Sequence, residues 1–483
     1  MTSMTISSAI YEDPQYATIQ KGNYQYLLNT TTGCQGVSIG FIDATSFRII
    51  PISKEKPILV TRDSGATFST EQVSSENKWV MEASIDGDYQ LIAFGEYGFK
   101  YSVDGGKSYR VINDLTRQKI KDLKTKAAPI VDSHASQARG QAAVIKSTST
   151  GFTAYVLFTE VAYLIRLDYE KKTDTLTITP IMQNGDNLSP SYTLNSSNNV
   201  NYNAAGRSYW RQNHIYIGNL VSRDNGQTFS HLCVNADCSA RENWYIVMDV
   251  HPSDPQKIVA YHGKQTAKDI SLSVSYDAGV TWTLLPNIEL YETAHGKTYA
   301  IRSILYYGDV KKGVSFIPEV GNQFNDQSFA LFVAGRSGLY RFDYNSQLST
   351  PINQISWTLL DKFLPIEASR VNKPWLSEIL FNPSQPKIAI AVQINDKMIF
   401  GNWFSFLPVS EQEFYYKPNT TKHPIYISFD SGKRWYNLRN DKLFPYTTIA
   451  SVAFGADGNL MLYTANYGVI TIPLASMDWI STN

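Results

Sequence analysis

Five aspartates recur in one local sequence pattern, and they are the first residues of this chain whose chemistry needs an explanation. Each follows a Ser or Thr by two residues, precedes a Gly by two and precedes an aromatic residue by five. The five sets are Asp63, Gly65 and Phe68; Asp104, Gly106 and Tyr109; Asp224, Gly226 and Phe229; Asp277, Gly279 and Trp282; and Asp430, Gly432 and Trp435. A carboxylate at a fixed spacing can act as a general acid or base, or as an acceptor that closes a turn.

The residue types around the aspartates favour turns over catalysis. A tight hairpin needs a residue that tolerates positive φ, which Gly supplies, and a short acceptor side chain that bonds backbone N–H groups, which Asp supplies. The Ser or Thr ends one strand, and the aromatic residue begins the next and packs under the turn. We therefore predict five strand–turn–strand hairpins with structural aspartates.

The pattern resembles the Asp-box, or bacterial neuraminidase repeat, of sialidases, sortilin-type receptors, xyloglucan-active glucanases and photosystem assembly factors. This resemblance implies a β-propeller. It also implies that the boxes lie at the periphery, far from the axial active site that the enzymes among these families carry.

Further repeated signals fill the long gaps between the boxes, which fit units of roughly 40–50 residues, the size of a four-stranded blade. An apolar strand followed by Gly and an apolar residue recurs at Gly98, Gly338 and Gly468. A strand–Pro-x-x-Pro–strand hairpin recurs at 252–255 and 383–386. Together the signals predict repeats at 36–75, 78–115, 141–185, 195–240, 243–290, 298–362 and 373–440.

The fold prediction is a single all-β propeller of four-stranded blades over residues 1–483. Seven blades are favoured and eight stay open, because 447–475 supplies three more strands that either form an eighth blade or join the N-terminal strands. We expect these terminal strands to close the ring and so remove exposed sheet edges.

Three insertions interrupt the repeats, at 113–140, 184–205 and 393–424. Long insertions in a propeller lie on its faces or rim, where contacts are made. The last one is rich in aromatic residues, which stack on sugars and dominate protein interfaces. Packing over the propeller's own rim is an equal alternative. The predicted binding surface consists of Phe400, Trp403, Phe404, Phe406, Phe414, Tyr415 and Tyr416.

A sialidase site is the main catalytic alternative. It needs arginines that bind a carboxylate bidentately, a Tyr–Glu nucleophile pair and an acid/base Asp. Phe47–Pro51 is close to the Arg-Ile-Pro motif but has one residue too many, which would turn Arg48 to the other face of its strand. Arg207, Arg302 and Glu319 would complete the set, although no spacing selects them. A xyloglucan-type glycosidase needs two facing carboxylates, and none is singled out.

Composition excludes several other classes of function. The chain has 483 residues, of which 43 are basic and 43 acidic, so no global charge attracts nucleic acid or an anionic membrane. No signal sequence is evident, and no apolar run approaches the ~20 residues of a membrane helix, so we expect a soluble protein. The seven histidines and three cysteines have no metal-ligand spacing, so we expect neither a metal nor another cofactor. Cys233 and Cys238 could pair locally, but free thiols are favoured.

These observations favour a non-catalytic propeller that binds or assembles with protein partners. Compositional analogy suggests a structural component of a virion or phage tail, located in the virion or the cytoplasm. A glycan ligand and a homo-oligomer stay open. The alternatives are a sialidase-like or other glycan-cleaving glycoside hydrolase, and a protein- or peptide-interaction module.

Overall fold

The computed structural model describes twenty-four segments of the chain. They are 37–41, 47–51, 58–61, 69–71, 80–94, 98–105, 108–112, 141–158, 163–183, 186–187, 208–236, 243–262, 271–286, 292–294, 297–299, 313–323, 326–335, 338–360, 378–392, 425–437, 449–454, 458–464, 468–472 and 474. In these segments the chain is almost wholly β-structure, with two short 3-10 helices at Val234–Ala236 and Ile352–Gln354.

The first four sheets have four strands each, every strand pairing antiparallel with the next along the chain. Sheet 1 comprises β1 (Val37–Phe41), β2 (Phe47–Pro51), β3 (Ile58–Thr61) and β4 (Ser69–Glu71). Sheet 2 comprises β5 (Val80–Asp86), β6 (Tyr89–Phe94), β7 (Gly98–Ser102) and β8 (Arg110–Val111). Sheet 3 comprises β9 (Gln141–Ser147), β10 (Gly151–Phe158), β11 (Tyr163–Glu170) and β12 (Thr175–Pro180). After a two-stranded ribbon of β13 (Met182–Gln183) and β14 (Asp186–Asn187), sheet 4 comprises β15 (Tyr209–Arg211), β16 (His214–Ile217), β17 (Leu220–Ser222) and β18 (Ser230–His231).

The remaining sheets repeat this order. Sheet 5 comprises β19 (Ile246–Val250), β20 (Ile258–His262), β21 (Ser271–Ser275) and β22 (Thr283–Leu284). A ribbon of β23 (Glu292–Ala294) and β24 (Lys297–Tyr299) precedes sheet 6, which comprises β25 (Val314–Phe316), β26 (Phe329–Gly335), β27 (Gly338–Tyr344) and β28 (Thr358–Leu359). Sheet 7 comprises β29 (Glu378–Phe381), β30 (Ala389–Val392), β31 (Ile425–Ser428) and β32 (Tyr436–Asn437). Sheet 8 has three strands, β33 (Ile449–Phe454), β34 (Leu460–Thr464) and β35 (Gly468–Ile472).

The predicted all-β propeller fold is confirmed, since successive four-stranded antiparallel sheets are its blades. Each of the seven predicted repeats contains one four-stranded sheet, and 447–475 contains the three strands of sheet 8. Gly98, Gly338 and Gly468 each begin the third strand of a sheet. The number of blades and the closure of the ring stay predictions.

The chain divides into two compact units. One comprises Met1–Ser75, Phe332–Arg341 and Thr358–Asn483, and the other comprises Glu76–Leu331 and Phe342–Trp357. Within the first unit, β1 contacts β33. The predicted single domain over 1–483 therefore stays a prediction.

Consecutive sheets of the second unit pack face to face through apolar side chains. On β10, Phe152 and Val156 pack in a cluster with residues of sheet 2, while Tyr155 and Leu157 pack in a cluster with residues of sheet 4. This alternation follows from the two-residue period of a strand. A third cluster joins sheet 4 to sheet 5 around Val247. Burying one such large side chain contributes about 1.5–3 kcal/mol, so the stacking of sheets forms the core.

Candidate functional site

Four of the five predicted aspartate turns fall largely within the described residues, and they share one geometry. We call them the aspartate turns: 102–109, 222–229, 275–282 and 428–435. In each, the Ser is the last residue of a third strand, and the fourth strand begins one residue after the aromatic residue. The turns therefore connect the last two strands of sheets 2, 4, 5 and 7.

Both carboxylate oxygens of the turn aspartates accept hydrogen bonds from the turn itself. In sheet 4, Asp224 Oδ1 accepts from the Ser222 hydroxyl at 2.8 Å and from the Thr228 N–H at 2.9 Å. Its Oδ2 accepts from the Thr228 hydroxyl at 2.5 Å. The Gly226 N–H donates to Ser222 Oγ at 2.7 Å, which closes the turn from the other side.

The same bonds recur in the other turns with one substitution. Asp104 and Asp277 accept from Ser108 and Thr281, as Asp224 does from Thr228. Asp430 accepts from the Arg434 N–H and from Arg434 Nε, both at 2.8 Å. The sixth residue after the turn's Ser thus supplies a hydroxyl or a guanidinium donor.

These hydrogen bonds hold three of the turn aspartates, Asp224, Asp277 and Asp430, in their ionised form. Partial burial alone would raise the pKa of Asp224, but the donors from Thr228 and Ser222 outweigh it, and the pKa lies below its usual value. For Asp277 and Asp430 the same opposition of burial and hydrogen bonding also lowers the pKa. Carboxylates in this state accept hydrogen bonds and cannot serve as general acids near neutral pH.

Each aspartate turn also bonds to the first hairpin of its own sheet. The N–H of the residue after the Asp donates to a carbonyl of the turn between the first and second strands, at 2.8–2.9 Å. The donor and acceptor pairs are Gly105 and Asp88, Asn225 and Asn213, Ala278 and Gln256, and Ser431 and Lys387. The two turns of a sheet therefore lie at the same end and support each other.

The turns of sheets 4, 5 and 7 also contact the sheet that precedes their own sheet in the chain. Side chains of the preceding sheet lie against the Gly of the turn or donate to one of its backbone carbonyls. An added Cβ at Gly226 would lie 1.9 Å from the Tyr155 hydroxyl of sheet 3, and one at Gly432 would lie 1.9 Å from the Phe332 ring of sheet 6. In sheet 4, Arg223 donates from Nη2 and Nε to the Ala278 carbonyl of the next turn, at 2.7 and 3.1 Å. Through these contacts the turns connect neighbouring sheets, and we call such contacts joints between sheets.

A buried carboxylate that sequence reasoning missed joins three consecutive sheets. Asp249, on the first strand of sheet 5, accepts from the Tyr209 hydroxyl of sheet 4 at 2.8 Å. Its other oxygen accepts from the Phe316 N–H at 2.8 Å and the Ser315 hydroxyl at 3.1 Å, both of sheet 6. The Val250 N–H adds a further bond at 2.9 Å. Asp249 lies where the pairing of β19 with β20 shifts register.

Two other buried ionisable groups lie on the same hairpin. His251 and Lys257 are fully buried. The Lys257 ammonium donates to the Gly321 and Ser328 carbonyls at 2.6 and 2.9 Å, and burial lowers its pKa. His251 Nε2 lies 3.0 Å from the Val320 carbonyl, while Nδ1 accepts from the Ser253 N–H at 3.3 Å. These contacts fix the neutral tautomer with the proton on Nε2, and burial lowers the pKa of His251 to about 4.

The described residues include only part of the predicted sialidase-like site. Arg48 lies on β2, where the backbone alone is described, and Glu319 is exposed in the turn after β25. Arg207 and Arg302 lie outside the described residues, as does the predicted aromatic binding surface at 400–416.

Several other predicted features also lie outside the described residues. These are the turn around Asp63, Gly65 and Phe68, the Gly106 position, the insertions 113–140 and 393–424, and the insertion 184–205 apart from β14. The favoured free thiol is wrong for Cys233, which is disulfide-bonded. Spacing alone did not decide this, because a disulfide depends on the distance between the two cysteines in the fold.

The described residues contain no group of three or more His, Cys, Asp or Glu side chains that could hold a metal ion. Among the same residues, no helix has the length and apolar character required to cross a bilayer.

Comparison with known proteins gives similarity at the level of solved structures only. No protein-family model matches the chain, and no curated protein matches it. The chain is similar to YCF48 bound to a D1 peptide, with 12% identity and a TM-score of 0.42 over 91% of both chains. It is similar to YCF48 from Cyanidioschyzon merolae, with 11% identity and a TM-score of 0.43 over 92% of this chain and 97% of that one. The GH74 xyloglucanase from Xanthomonas campestris shares 14% identity, with a TM-score of 0.40 over 96% of this chain and 68% of that one. Values this low do not indicate a function.

Proposed function

We propose that this protein is a non-catalytic β-propeller that acts as a binding or assembly module. The observation that carries the proposal is the state of its repeated carboxylates. In the four aspartate turns, both oxygens of each Asp accept hydrogen bonds from the turn. A carboxylate whose lone pairs are used in this way holds a scaffold and is not available to a substrate.

The buried ionisable residues support the same proposal. Asp249 has four donors from three sheets, and Lys257 has two backbone acceptors. Catalytic groups have perturbed pKa values and also reach a cleft that a substrate can enter. Asp249 and Lys257 are buried, and their polar atoms already face protein partners. Their contacts suit a rigid scaffold that presents its loops and edges to a partner.

One form of this module is a structural component of a virion or phage tail, with protein partners in a larger assembly. Its support is compositional: balanced charge and a high content of Tyr, Asn, Ser and Thr. Genes for portal or tail proteins flanking this one in its source genome would favour this form, and an unrelated metabolic neighbourhood would disfavour it.

The enzymatic alternative is a glycan-cleaving glycoside hydrolase, and a direct assay separates it from the proposal. The full chain is incubated with fluorogenic sialosides, xyloglucan and other β-glucans across pH 4–8. We expect no release of product above that of heat-denatured protein. Release of product that is lost in Glu319→Gln or Arg48→Ala, but kept in the turn variant Asp224→Asn, would overturn the non-catalytic proposal.

A further inference from the structure

The fourth strand of sheet 3 is longer than the fourth strand of any other four-stranded sheet in the described residues. The fourth strands β8, β18, β22, β28 and β32 have two residues each, and β4 has three. In contrast, β12 has six residues, Thr175–Pro180. Long, flat, uncharged edge strands promote association with other chains, and proteins ordinarily avoid them by shortening the strand or adding charges. Sheet 3 therefore has a long, uncharged edge strand, whereas the edge strands of sheets 2 and 4 are short.

The position of β12 leaves one side of its backbone without a strand among the described residues, since β12 ends the order β12-β11-β10-β9. Ile181 N–H donates to the Leu164 carbonyl at 2.9 Å, which fixes the phase of pairing with β11. The N–H and C=O groups alternate in direction along a strand, so those of Thr175, Thr177 and Thr179 point to β11. Those of Leu176 and Ile178 then point outward.

The two faces of β12 have different environments. The Leu176 and Ile178 side chains pack against the apolar cluster between sheets 2 and 3, and this packing holds the strand on its sheet. Thr175, Thr177 and Thr179 are exposed. The tight turn that precedes the strand is also fixed, because Asp174 accepts from Arg110 and from the Tyr169 hydroxyl.

From this edge we propose that β12 pairs with β12 of a second copy of the chain, antiparallel, across a two-fold axis at Thr177. The outward groups select this register. Leu176 lies opposite Ile178 of the other copy, and the two residues exchange two main-chain hydrogen bonds. Ile178 lies opposite Leu176 of the other copy and adds two more. If the two-fold axis lay one residue further along the strand, at Ile178, Pro180 would lie opposite Leu176. Pro180 has no N–H, so that pair would lose a hydrogen bond. If the axis lay at Leu176, Asp174 would lie opposite Ile178. Asp174 has a φ of 52° and lies in the turn, so its backbone is not extended for pairing.

A second copy is the occupant favoured by side chains and charge. In this register Thr177 faces Thr177, and Thr175 faces Thr179, so the exposed face forms a ladder of Thr pairs, which stabilise sheets. No charged side chain lies within Thr175–Pro180. The chain has a formal net charge of zero, so two copies have no net repulsion. Isologous two-fold contacts are the commonest way in which identical chains associate.

Because only four main-chain hydrogen bonds join the copies, the association is weak and depends on concentration. Sedimentation velocity of the full chain, from micromolar to submillimolar concentration, measures it. We expect the wild type to shift from monomer towards dimer over this range. Thr177→Lys places two ammonium groups opposite each other and weakens dimerisation by roughly tenfold or more. The control Ser149→Lys adds the same charge at an exposed position of the β9–β10 hairpin and leaves dimerisation unchanged.

Charge exchange tests the two-fold register itself. We expect Thr177→Lys and Thr177→Glu each to dimerise more weakly than the wild type, and an equimolar mixture of the two to associate more tightly than either variant alone. The reason is that residue 177 of one copy faces residue 177 of the other, so the mixture pairs opposite charges. Oxidation of Thr177→Cys also yields a covalent dimer, since opposed residues of a non-hydrogen-bonded pair lie within disulfide distance. Wild-type protein, which keeps its own cysteines, and Thr177→Ser do not form one.

Three results would overturn the proposal. The first is a wild type that stays monomeric throughout the range, and the second is dimerisation that Thr177→Lys leaves intact. The third is failure of the mixed variants to associate, which would show that residue 177 of one copy does not face residue 177 of the other. A monomeric wild type would leave an unrelated extended peptide as the occupant of this edge. None of these results depends on whether the protein cleaves glycans.

Discussion

Replacing His251 by Asn should remove a defined part of the pH dependence of stability. Two hairpins of the fold make the same contacts, one with His251 and one with Asn382. Asn382 Oδ1 accepts from the Ser384 N–H at 3.0 Å, where His251 Nδ1 accepts from the Ser253 N–H. Asn382 Nδ2 donates to the Gly458 carbonyl at 3.1 Å, where His251 Nε2 donates to that of Val320. Asn is thus the substitution that the fold itself already uses at the equivalent position.

The magnitude follows from the pKa of His251. The usual value is 6.5, and burial lowers the pKa in the folded protein to about 4. Between these values the unfolded chain binds a proton and the folded chain does not, so stability is fully present above pH 6.5 and falls as the pH drops towards 4. Between pH 7.5 and 4.5 this linkage costs about 2.5 kcal/mol in the free energy of unfolding.

Urea unfolding of the wild type and His251→Asn at both pH values provides the test. At pH 7.5 we expect the variant to be about 1–2 kcal/mol less stable, because the shorter side chain loses packing and part of the bond to Val320. At pH 4.5 we expect the difference to vanish or reverse. Other titrating groups are common to both proteins and cancel in the comparison. Equal losses of stability on acidification would refute the assignment of a buried, neutral His251.

Two further substitutions test the joints between sheets. Lys257→Met should lower the free energy of unfolding by about 2–4 kcal/mol, because the Gly321 and Ser328 carbonyls lose their donor. The exposed variant Lys172→Met should change it little. An unaffected melting curve for Lys257→Met would contradict the buried ammonium. Gly432→Ala should cost more than Gly87→Ala, since both have positive φ but only Gly432 would push a Cβ into Phe332. We expect about 1 kcal/mol for Gly87→Ala and about 3 kcal/mol or more for Gly432→Ala by thermal denaturation, and equal costs would show that the turn does not touch the neighbouring sheet.

The sequence predicted the sheets well because their signals are local. Ser, Asp, Gly and an aromatic residue within eight positions determine a hairpin by themselves. Gly98, Gly338 and Gly468 mark the starts of third strands in the same way. In sheet 6 the connection between the third and fourth strands lacks the Asp and Gly of the aspartate turns. It keeps only the aromatic residue, Trp357, directly before the fourth strand.

The contacts between sheets could not be predicted from the sequence. Asp249 meets Ser315 and Phe316 across more than sixty residues of chain, and no spacing rule connects positions so far apart. His251 was one of seven scattered histidines until its neighbours were known. The length of β12 could not be predicted from the sequence either. Thr175–Pro180 follows a tight turn, where other sheets have an aspartate turn, and it has no motif of its own.

Several contacts between neighbouring sheets share a direction along the chain, although Trp357 of sheet 6 donates back to the Pro286 carbonyl that follows sheet 5. Side chains of an earlier sheet bind backbone groups of the next: Tyr155 binds Gly226, Arg223 binds Ala278, and Asn382 binds Gly458. During synthesis the earlier sheet leaves the ribosome first, at about 5–20 residues per second. Each completed sheet can therefore act as a template that already displays the donors for its successor, and the propeller can assemble from its N-terminal side while translation continues.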